Sequence, residues 1–392
     1  MRTVGVIAEY DPFHLGHAYH LAKAREIAQA DWVVVIMSGC FTQRGQAATV
    51  LPSVRAEMAL SCGADAVIEL PCPWAVREAE HFALGGVSML HRLGCITHLA
   101  FGAENDDLPA LQRCAELLES PDEALQQLIR SGLEQGLSHP AALGNAIAQR
   151  LPSAEISKPN NVLALCYLRA LLRLNSPIEP VLIRRRGDYH ATGFQTDVLP
   201  SATAVRGALH RGCWEQVQAS MPEPAYALLR KAAASGEVCR PGALDSVLLH
   251  LLRTVPLSAL RTLPGCGEGL ENRLREAAFA SVDREQLLQL MKTRRYPYTR
   301  LSRLCAHLML GLDEQVVRPG TTPAYGRLLG FRREAAPLLR TMKKGGLPLI
   351  EKAAHGPRND AAFQADARAY DLWCLGAGTT PERWWRQSPV VI

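Results

Sequence analysis

Short apolar runs alternate with helical patterns through the first hundred residues of the chain. The runs are rich in Val, Ile and Leu and are bounded by Gly, Pro, Asp or Ser, which is typical of strands. The predicted strands span residues 4–7, 32–37, 65–70 and 97–101, and the predicted helices span residues 17–29, 52–62 and 78–93. Strands that alternate with helices in this way favour βαβ crossovers and a mostly parallel sheet.

The pattern becomes helical between residues 109 and 149, where leucines such as Leu111 and Leu125 are spaced for one helix face. A fifth strand is predicted at 180–183, and Ser201 is a candidate N-cap for the helix after it. We therefore expect residues 1–212 to form one α/β, Rossmann-like domain. Its sheet is expected to be parallel, with a helical insert at about 108–150.

Helical patterns separated by Pro and Gly replace the strand series beyond residue 213. They predict helices at 225–234, 243–254, 269–280, 284–292 and 298–312. Residues 213–392 are therefore predicted to form an all-α domain.

The composition narrows the function mainly by exclusion. The chain has 392 residues, is 48% hydrophobic and carries a net charge of +5, so a nucleic-acid surface would have to be a local patch. The 11 cysteines show no paired metal-ligand spacing, which predicts reduced thiols and no zinc site. No apolar run approaches the roughly 18 residues of a membrane-spanning helix. The sequence thus predicts a cytoplasmic protein with no bound metal of its own and no membrane contact.

A His-x-Gly-His element stands where the first predicted strand passes into the first helix. Residues 8–17 read AEYDPFHLGH and contain His14, Gly16 and His17. At such a junction, backbone N–H groups and the positive helix end face an anion. Gly16 lets the backbone approach a phosphate, and the two imidazoles can face the same oxygens. We predict a nucleotide phosphate site in which His14 and His17 are catalytic, stabilising charge as the α-phosphorus is attacked.

Glu9 precedes this element and has two interpretations. Its carboxylate could be structural, or it could hold Mg²⁺ through water near the phosphates. Both interpretations stay open.

Residues at later strand ends and helix starts extend the predicted site. Gly102 ends a strand where a ribose or base could lie on the backbone, although a glycine there is also a common turn. Asn160 and Asn161 could contact the nucleotide or simply cap the next helix. Arg184 to Arg186 follow the fifth strand and could grip phosphate or carboxylate, or form a solvated edge.

Ser201, Thr203 and Arg206 offer two hydroxyls at a helix N-terminus and an arginine one turn in. As a bare pattern this is a helix cap. Because it follows a His-x-Gly-His domain in order, we predict a second phosphate-binding segment for the β and γ phosphates.

Basic segments with aromatic residues lie in the predicted helical part. Residues 292–303 hold five basic residues and no acid, with Tyr296 and Tyr298 between them, and residues 318–344 hold seven basic residues against Glu334. Such segments suit phosphate contacts plus stacking on unpaired bases, although basic helix faces are often only solvated surface.

Ordered motifs from residue 4 to about 350 resemble the tRNA(Met) cytidine acetate ligases, a branch of the HIGH-motif nucleotidyltransferase superfamily. Besides the opening element, the matching segments are VIMSG (35–39), FTQRG (41–45), GAD (63–65), VIELP (67–71), FGAEN (101–105), SKPNN (157–161), SATAVR (201–206), EGLENR (268–273) and RYPYTR (295–300). Two positions depart from the family. Asp11 stands where Asn is usual, and Leu15 stands where a polar residue is common, so an extra carboxylate could repel phosphate or recruit Mg²⁺.

The resemblance implies an enzyme that activates acetate with ATP to acetyl-adenylate and releases pyrophosphate. It then acetylates the wobble cytidine of elongator tRNA(Met) to N(4)-acetylcytidine, with Mg²⁺ expected alongside ATP. The implied ATP-binding residues are Ile7, Ala8, Glu9, Tyr10, Asp11, Pro12, Phe13, His14, Leu15, Gly16, His17, Ala18, Tyr19, His20, Gly102, Lys158, Asn160, Asn161, Arg184, Arg185, Ser201, Thr203 and Arg206. The predicted tRNA-binding residues are Arg294, Arg295, Tyr298, Arg300 and Arg303.

Two choices within this set stay open. In the family one asparagine contacts ATP, and the pattern does not separate Asn160 from Asn161. The family commonly has one arginine after the strand, and Arg184 or Arg185 is preferred, with a contact to tRNA phosphate as the alternative.

Two other functions remain compatible with the residues. A small-molecule adenylyltransferase of the same superfamily would make a dinucleotide and would not need the basic helical part. A non-catalytic tRNA-binding protein that keeps the fold as a scaffold would bind tRNA without His14 and His17.

Overall fold

The computed structural model describes residues 1–137, 139–152, 158–184, 201–293, 295–318 and 320–392. Within these residues, eight strands form a single sheet. The strands are β1 (Thr3–Ala8), β2 (Trp32–Ser38), β3 (Ala66–Leu70), β4 (His98–Ala103), β5 (Glu179–Arg184), β6 (Gly326–Phe331), β7 (Leu349–Ile350) and β8 (Val390–Val391). Their order is β5-β4-β1-β2-β3-β6-β7, with β8 also paired to β6.

The first five strands are parallel to one another, whereas β6 runs antiparallel to β3. Strands β7 and β8 are parallel to β6. The predicted α/β class with a mainly parallel sheet is therefore confirmed.

Helices cover both faces of the sheet and make up most of the C-terminal part. In chain order they are α1 (Leu15–Ile27), α2 (Pro52–Ser61), α3 (Cys72–Ala75), α4 (Ala79–Arg92), α5 (Leu108–Glu119), α6 (Glu123–Glu134), α7 (His139–Arg150), α8 (Pro159–Arg173), α9 (Ala202–His210), α10 (Trp214–Ala219), α11 (Glu223–Ala234), α12 (Asp245–Thr254), α13 (Leu257–Arg261), α14 (Leu270–Phe279), α15 (Arg284–Met291), α16 (Tyr298–Leu310), α17 (Ala336–Met342), α18 (Ala361–Ala377) and α19 (Arg383–Arg386). Short 3₁₀ turns occur at Arg333–Ala335 and Ala353–His355. Helices α5 to α7 occupy the predicted insert.

The central strands are apolar along their whole length because both of their faces are buried. In β1, Val4 and Val6 pack into the core layer on the side of α1, α2 and α9. The alternate residues Gly5 and Ile7 face the opposite layer, which contains α4 and α8. A Cβ on Gly5 would lie 2.7 Å from Leu90 of α4, so the missing side chain lets that helix pack closely on the sheet.

The C-terminal part differs from the predicted all-α domain because it supplies β6, β7 and β8 to the sheet. Strand β6 was missed because two glycines interrupt its pattern, and glycine weakens a strand prediction. The structure requires both of them. A Cβ on Gly326 would lie 2.7 Å from Ile68 of β3, and one on Gly330 would lie 2.7 Å from the main-chain oxygen of Val390. The domain boundary at residue 212 stays a prediction.

All 11 cysteines are free thiols, and most of them are buried in the core. Among the helices of the described ranges, none combines the length and apolar character that crossing a membrane requires.

Candidate active site

A cavity of about 270 Å³ opens at the carboxyl edge of the parallel strands. Strands β1, β4 and β5 end here, and helices α1, α8 and α9 begin here. The loop after β2 also borders the cavity. This edge is where open parallel sheets bind ligands. Of the predicted ATP-binding residues, those lining the cavity are Ile7, Ala8, Glu9, Tyr10, Asp11, His14, Gly16, His17, Tyr19, His20, Gly102, Asn160, Arg184, Ser201, Thr203 and Arg206.

The remaining predicted residues have other positions. Pro12, Phe13, Leu15, Ala18, Lys158 and Asn161 are not among the described residues that line the cavity. Phe13 is fully buried, and its ring contacts Tyr10 and His17 at centroid distances of 4.9 and 5.6 Å, so it supports the site from below. Arg185 lies outside the described residues.

His14 and His17 form a reciprocal cap on the first turn of α1. The Nδ1 atom of His14 accepts a hydrogen bond from the Gly16 N–H at 3.0 Å, and the Nδ1 atom of His17 accepts one from the His14 N–H at 3.3 Å. The two rings stack at 3.8 Å between centroids. Because each Nδ1 accepts, the ring proton of a neutral imidazole is on Nε2. In that tautomer each ring carries an N–H donor on Nε2, and both histidines line the cavity.

Ser201 caps the N-terminus of α9, as the sequence predicts. Its Oγ atom accepts from the Ala204 N–H at 3.1 Å. The N-terminal ends of α1 and α9 thus border the same cavity, and each contributes the partial positive charge of a helix N-terminus. The arrangement favours a polyanion.

Two carboxylates and a buried guanidinium lie at the end of β1. Glu9 Oε1 accepts from the Gln43 N–H at 2.5 Å, and burial raises the pKa of Glu9 despite that bond. Asp11 Oδ1 accepts from the Thr49 N–H at 2.6 Å. Arg55, on α2, has no exposed surface, and burial lowers its pKa. It donates to main-chain oxygens of Glu9 and Val50, at 2.5 and 3.2 Å, and of Gly39. The guanidinium thereby ties the loops after β1 and β2 together.

The two candidate asparagines have different surroundings. Asn161 Oδ1 accepts from the N–H groups of Glu104 and Asn105 at 3.0 and 3.1 Å, which joins α8 to the end of β4. Asn160 lines the cavity, and its Nδ2 donates to Glu104 Oε1 at 2.5 Å. The geometry therefore presents Asn160, rather than Asn161, to a ligand.

Gly102 and Arg184 lie at the ends of neighbouring strands, since Gly102 of β4 is in register with Ile183 of β5. Arg184 is 71% exposed and pairs with Asp106 at 3.1 Å. Arg184 lines the cavity, and because such exposed ion pairs are weak, a phosphate there could replace Asp106 as its partner.

The loop after β2 also belongs to the site, although the residue patterns do not predict it there. Thr42, Gln43, Arg44 and Gln46 line the cavity. Sheet order could have indicated them, because β2 is parallel to β1 and ends at the same edge. Phe82, Phe101, Leu163 and Tyr167 form an apolar wall that only the packing of α4 and α8 on the sheet reveals.

Helix α16 of the predicted tRNA-binding part contacts this loop directly. Ser302 Oγ donates to the main-chain oxygen of Arg44, and Arg284 of α15 donates to that of Gly45 at 3.2 Å. Gly45 has a φ of +70°, and a Cβ there would lie 2.8 Å from Cα of Arg303. The basic helical region and the cavity therefore share a wall.

The predicted tRNA-binding side chains differ in their exposure and in their partners. Arg295 is exposed and pairs with Glu268, and Arg300 lies over the Tyr296 ring at 5.0 Å. Burial lowers the pKa of half-buried Arg303, and the nearby Arg77 and Arg300 act in the same direction. Among the described residues Arg303 has no hydrogen-bond or ion-pair partner. Arg294 lies outside the described residues.

Tyr296 and Tyr298 differ in how accessible their rings are to a stacking base. Tyr296 is 7% exposed and lies against Arg273, Arg295 and Arg300, so stacking of a base on it is not supported. Tyr298 is more accessible and donates its hydroxyl to Glu285 Oε2 at 2.7 Å.

A metal centre built by the protein alone is not seen within the described ranges, where no group of three or more His, Cys, Asp or Glu is arranged for a metal ion. Cations in the cavity come from Arg44, Arg184 and Arg206 instead. The site is built for a ligand that brings its own negative charge.

The chain is similar to known enzymes over nearly its whole length. The model of the HIGH Nucleotidyl Transferase family matches residues 1–386. A tRNA(Met) cytidine acetate ligase from a Geobacillus species is 35% identical over 378 residues, covering 94% of this chain and 93% of that protein. One from a Thermoanaerobacter species is 33% identical over 387 residues, covering 96% and 95%.

Solved structures agree with these relatives. The crystal structure of Thermotoga maritima TmcAL bound with alpha-thio ATP is 29% identical, covers 100% of both chains and has a TM-score of 0.90. The apo form of the same protein has a TM-score of 0.92. The chain thus belongs to the HIGH nucleotidyl transferase family and, within it, to the tRNA(Met) cytidine acetate ligases.

Proposed function

We propose that this protein is an ATP-dependent acetate ligase that acetylates the wobble cytidine of elongator tRNA(Met) to N(4)-acetylcytidine. The observation that carries the proposal is the shared wall between two different surfaces. A cavity edged by two helix N-termini and two histidines is joined, through Arg44 and Gly45, to a helix with a basic surface. An enzyme that activates a small acid and transfers it to RNA needs both surfaces side by side.

In the first step a carboxylate oxygen of acetate attacks the α-phosphorus of ATP. The bond from that phosphorus to the bridging oxygen breaks, pyrophosphate leaves, and acetyl-adenylate remains. His14 and His17 donate from Nε2 to phosphate oxygens whose negative charge grows during this attack. Ser201, Thr203 and Arg206 hold the β and γ phosphates from the N-terminus of α9.

The nucleoside end of ATP lies toward β4 and β5 in this proposal. Gly102 leaves room for the ribose or base, and Asn160 offers its amide. Arg184 or Arg185 supplies a guanidinium, and Lys158 adds positive charge at the N-cap of α8.

In the second step the exocyclic amine of cytidine attacks the acetyl carbonyl carbon. The carbonyl carbon loses its bond to the phosphate oxygen, AMP leaves, and the amine gives up one proton. Catalysis is mostly positioning and electrostatics, because the transferred group is already activated. The anticodon arm would lie on Arg294, Arg295, Tyr298, Arg300 and Arg303.

Mg²⁺ is expected to enter with ATP. A site of one carboxylate plus substrate phosphates is usual for this ion, and Glu9 fits it because Gln43 occupies only one of its two oxygens. The ion would neutralise phosphate charge there.

In this proposal residues 1–212 bind ATP and residues 213–392 bind tRNA, and β6 to β8 of the second part complete the sheet of the first. The free thiols support a cytoplasmic location.

One assay tests the proposed function. The protein is incubated with ATP, labelled acetate and elongator tRNA(Met), and the digested tRNA is analysed for acetylcytidine. We expect label in the tRNA only when enzyme, ATP and acetate are all present, and none in a tRNA whose wobble cytidine is replaced by uridine.

Other outcomes would contradict the proposal. Pyrophosphate release without acetyl transfer would favour a small-molecule adenylyltransferase. Binding of tRNA without pyrophosphate release, and unaffected by loss of His14 and His17, would favour a non-catalytic tRNA-binding protein.

A further inference from the structure

Arg206 borders the cavity, but its charge is already balanced by the protein. Its Nη1 atom donates to the main-chain oxygen of Asp11 at 2.6 Å and lies 3.6 Å from Asp11 Oδ2. Its Nη2 atom donates to Thr203 Oγ1 at 3.2 Å. The side chain is 24% exposed. An anionic ligand in the cavity therefore meets a guanidinium whose charge the Asp11 carboxylate already partly balances.

Asp11 does not depend on Arg206 for its own orientation. Its side chain is 6% exposed, and Oδ1 accepts from the Thr49 N–H at 2.6 Å. This bond fixes the carboxyl group and leaves Oδ2 turned toward Arg206. Oδ1 thus holds the carboxyl group in place, and Oδ2 interacts electrostatically with Arg206.

Other charged groups near Asp11 are held in place. Arg55 is fully buried, and its N–H groups donate hydrogen bonds to main-chain oxygens. It therefore cannot move to replace Arg206. Glu9 is bound by the Gln43 N–H, and His210 lies on the same helix as Arg206. Arg206 is accordingly the cation that contacts Asp11 while being both partly exposed and on the cavity wall.

We propose that Asp11 is a positioning residue that limits how much of the Arg206 charge is available to the ATP polyphosphate. This inference rests on the proposed function, since it takes the cavity as the ATP site. The bonds from Arg206 to the Asp11 main chain and to Thr203 do not require the carboxylate charge, so the guanidinium stays directed at the cavity with or without it. Guanidinium–phosphate hydrogen bonds are strong, and the Asp11 carboxylate competes with them.

The consequence is weaker ground-state binding of ATP, and of pyrophosphate as it forms. Binding energy that is equal in the substrate complex and the transition state does not raise the rate of the chemical step. The carboxylate therefore reduces nucleotide affinity without reducing the charge stabilisation that His14 and His17 supply.

Substitution of Asp11→Asn isolates the charge. Asparagine has the same size and keeps an oxygen that can accept from the Thr49 N–H. We expect the Kd of ATP, measured by calorimetry without acetate or tRNA, to fall about fivefold, the factor that ~1 kcal/mol gives for one ion pair. The gain should shrink as KCl is raised, and kcat should not increase.

A double-mutant cycle separates the role of Arg206 from simple repulsion of phosphate. In an Arg206→Gln background, Asp11→Asn should change the Kd of ATP by less than about twofold. A purely structural role would instead weaken ATP binding and lower the thermal midpoint in Asp11→Asn.

Three results would contradict the inference. An unchanged or weaker ATP affinity in Asp11→Asn, or the same gain in the Arg206→Gln background, overturns it while leaving the proposed function intact. Absence of ATP binding by the wild-type protein overturns the proposed ATP site together with this inference.

Discussion

Two buried arginines, Arg55 and Arg327, bind different kinds of partner. Arg55, buried under the loops after β1 and β2, donates to three main-chain oxygens, and burial lowers its pKa. Arg327, on β6, pairs with Glu69 of β3 at 2.5 Å, and both side chains are 6% exposed. Burial also opposes the charge of Arg327, but Glu69 outweighs it and raises the Arg327 pKa.

The two regions use buried charge for different ends. At the β3–β6 junction each charge has an opposite partner, so the pair is closed and holds strands together. Next to the cavity, by contrast, Arg55 donates to main-chain carbonyl groups and not to a carboxylate, and the positive field of two helix ends is left for a ligand. A buried group with a perturbed pKa beside a cleft is typical of functional sites.

The largest expected effect on the free energy of unfolding comes from breaking the Arg327–Glu69 ion pair. Arg327→Met leaves Glu69 buried and unpaired, which should lower the free energy of unfolding by about 3–5 kcal/mol. Urea denaturation checks this. Arg332→Met is the matched control, because Arg332 pairs with Glu334 at 3.6 Å on the surface and should cost less than ~1 kcal/mol. Equal losses in the two variants would remove the distinction between the two regions.

That pair also shows where prediction from sequence stops. Arg327 was counted in a basic segment that suits RNA, but its partner Glu69 is 258 residues away and the pair is internal. Arg55 lies in a correctly predicted helix, yet nothing local indicates that it is buried under two loops. Both cases require knowledge of which distant segments pack together.

Local patterns were more informative. The parallel strands, the His-x-Gly-His element and the Ser201 cap follow from residue types within a few positions, and the structure has each of them. The choice between Asn160 and Asn161 could not be made that way, because it depends on where the Glu104 backbone lies.

The second prediction tests the hydrogen-bond donors that the cavity offers to a ligand. His17→Ala removes one donor toward the reacting phosphate and should abolish acetyl-adenylate formation, a fall of at least about 10²–10³-fold. Acetate-dependent exchange of pyrophosphate into ATP measures it. His250→Ala, an exposed histidine on α12, is the control and should keep near-normal rates. Near-normal exchange in His17→Ala would exclude the phosphate role.

A smaller effect is expected where the basic region meets the cavity wall. Arg303→Ala removes a guanidinium that has no ion-pair partner among the described residues, and it should raise the KM for tRNA about tenfold, while reducing the salt dependence of tRNA binding by about one charge. Filter binding over a KCl series gives both values. Arg386→Ala, 82% exposed on α19, is the control. If the two variants share the same salt slope, Arg303 is not a phosphate contact.

The smallest effect concerns Asp366 of α18, beside the closed pair. It accepts from the Tyr325 hydroxyl at 2.5 Å and from the Cys72 N–H at 2.6 Å, and burial, with the nearby Glu69 charge, raises the pKa of its carboxyl to about 8. Between pH 4 and that value the folded state keeps a proton that the unfolded chain releases. The free energy of unfolding should therefore fall as pH rises, by at most ~1.4 kcal/mol per pH unit.

Asp366→Asn should flatten this slope, because an amide does not titrate. Denaturation at pH 6 and 7 measures the change, and Asp371→Asn, an exposed position on the same helix, should keep the wild-type slope. A slope in Asp366→Asn equal to that of the wild type would mean that the carboxyl is ionised in the folded protein. The junction would then hold two ionised acids, Glu69 and Asp366, beside the single arginine Arg327, and it would no longer differ in kind from the cavity.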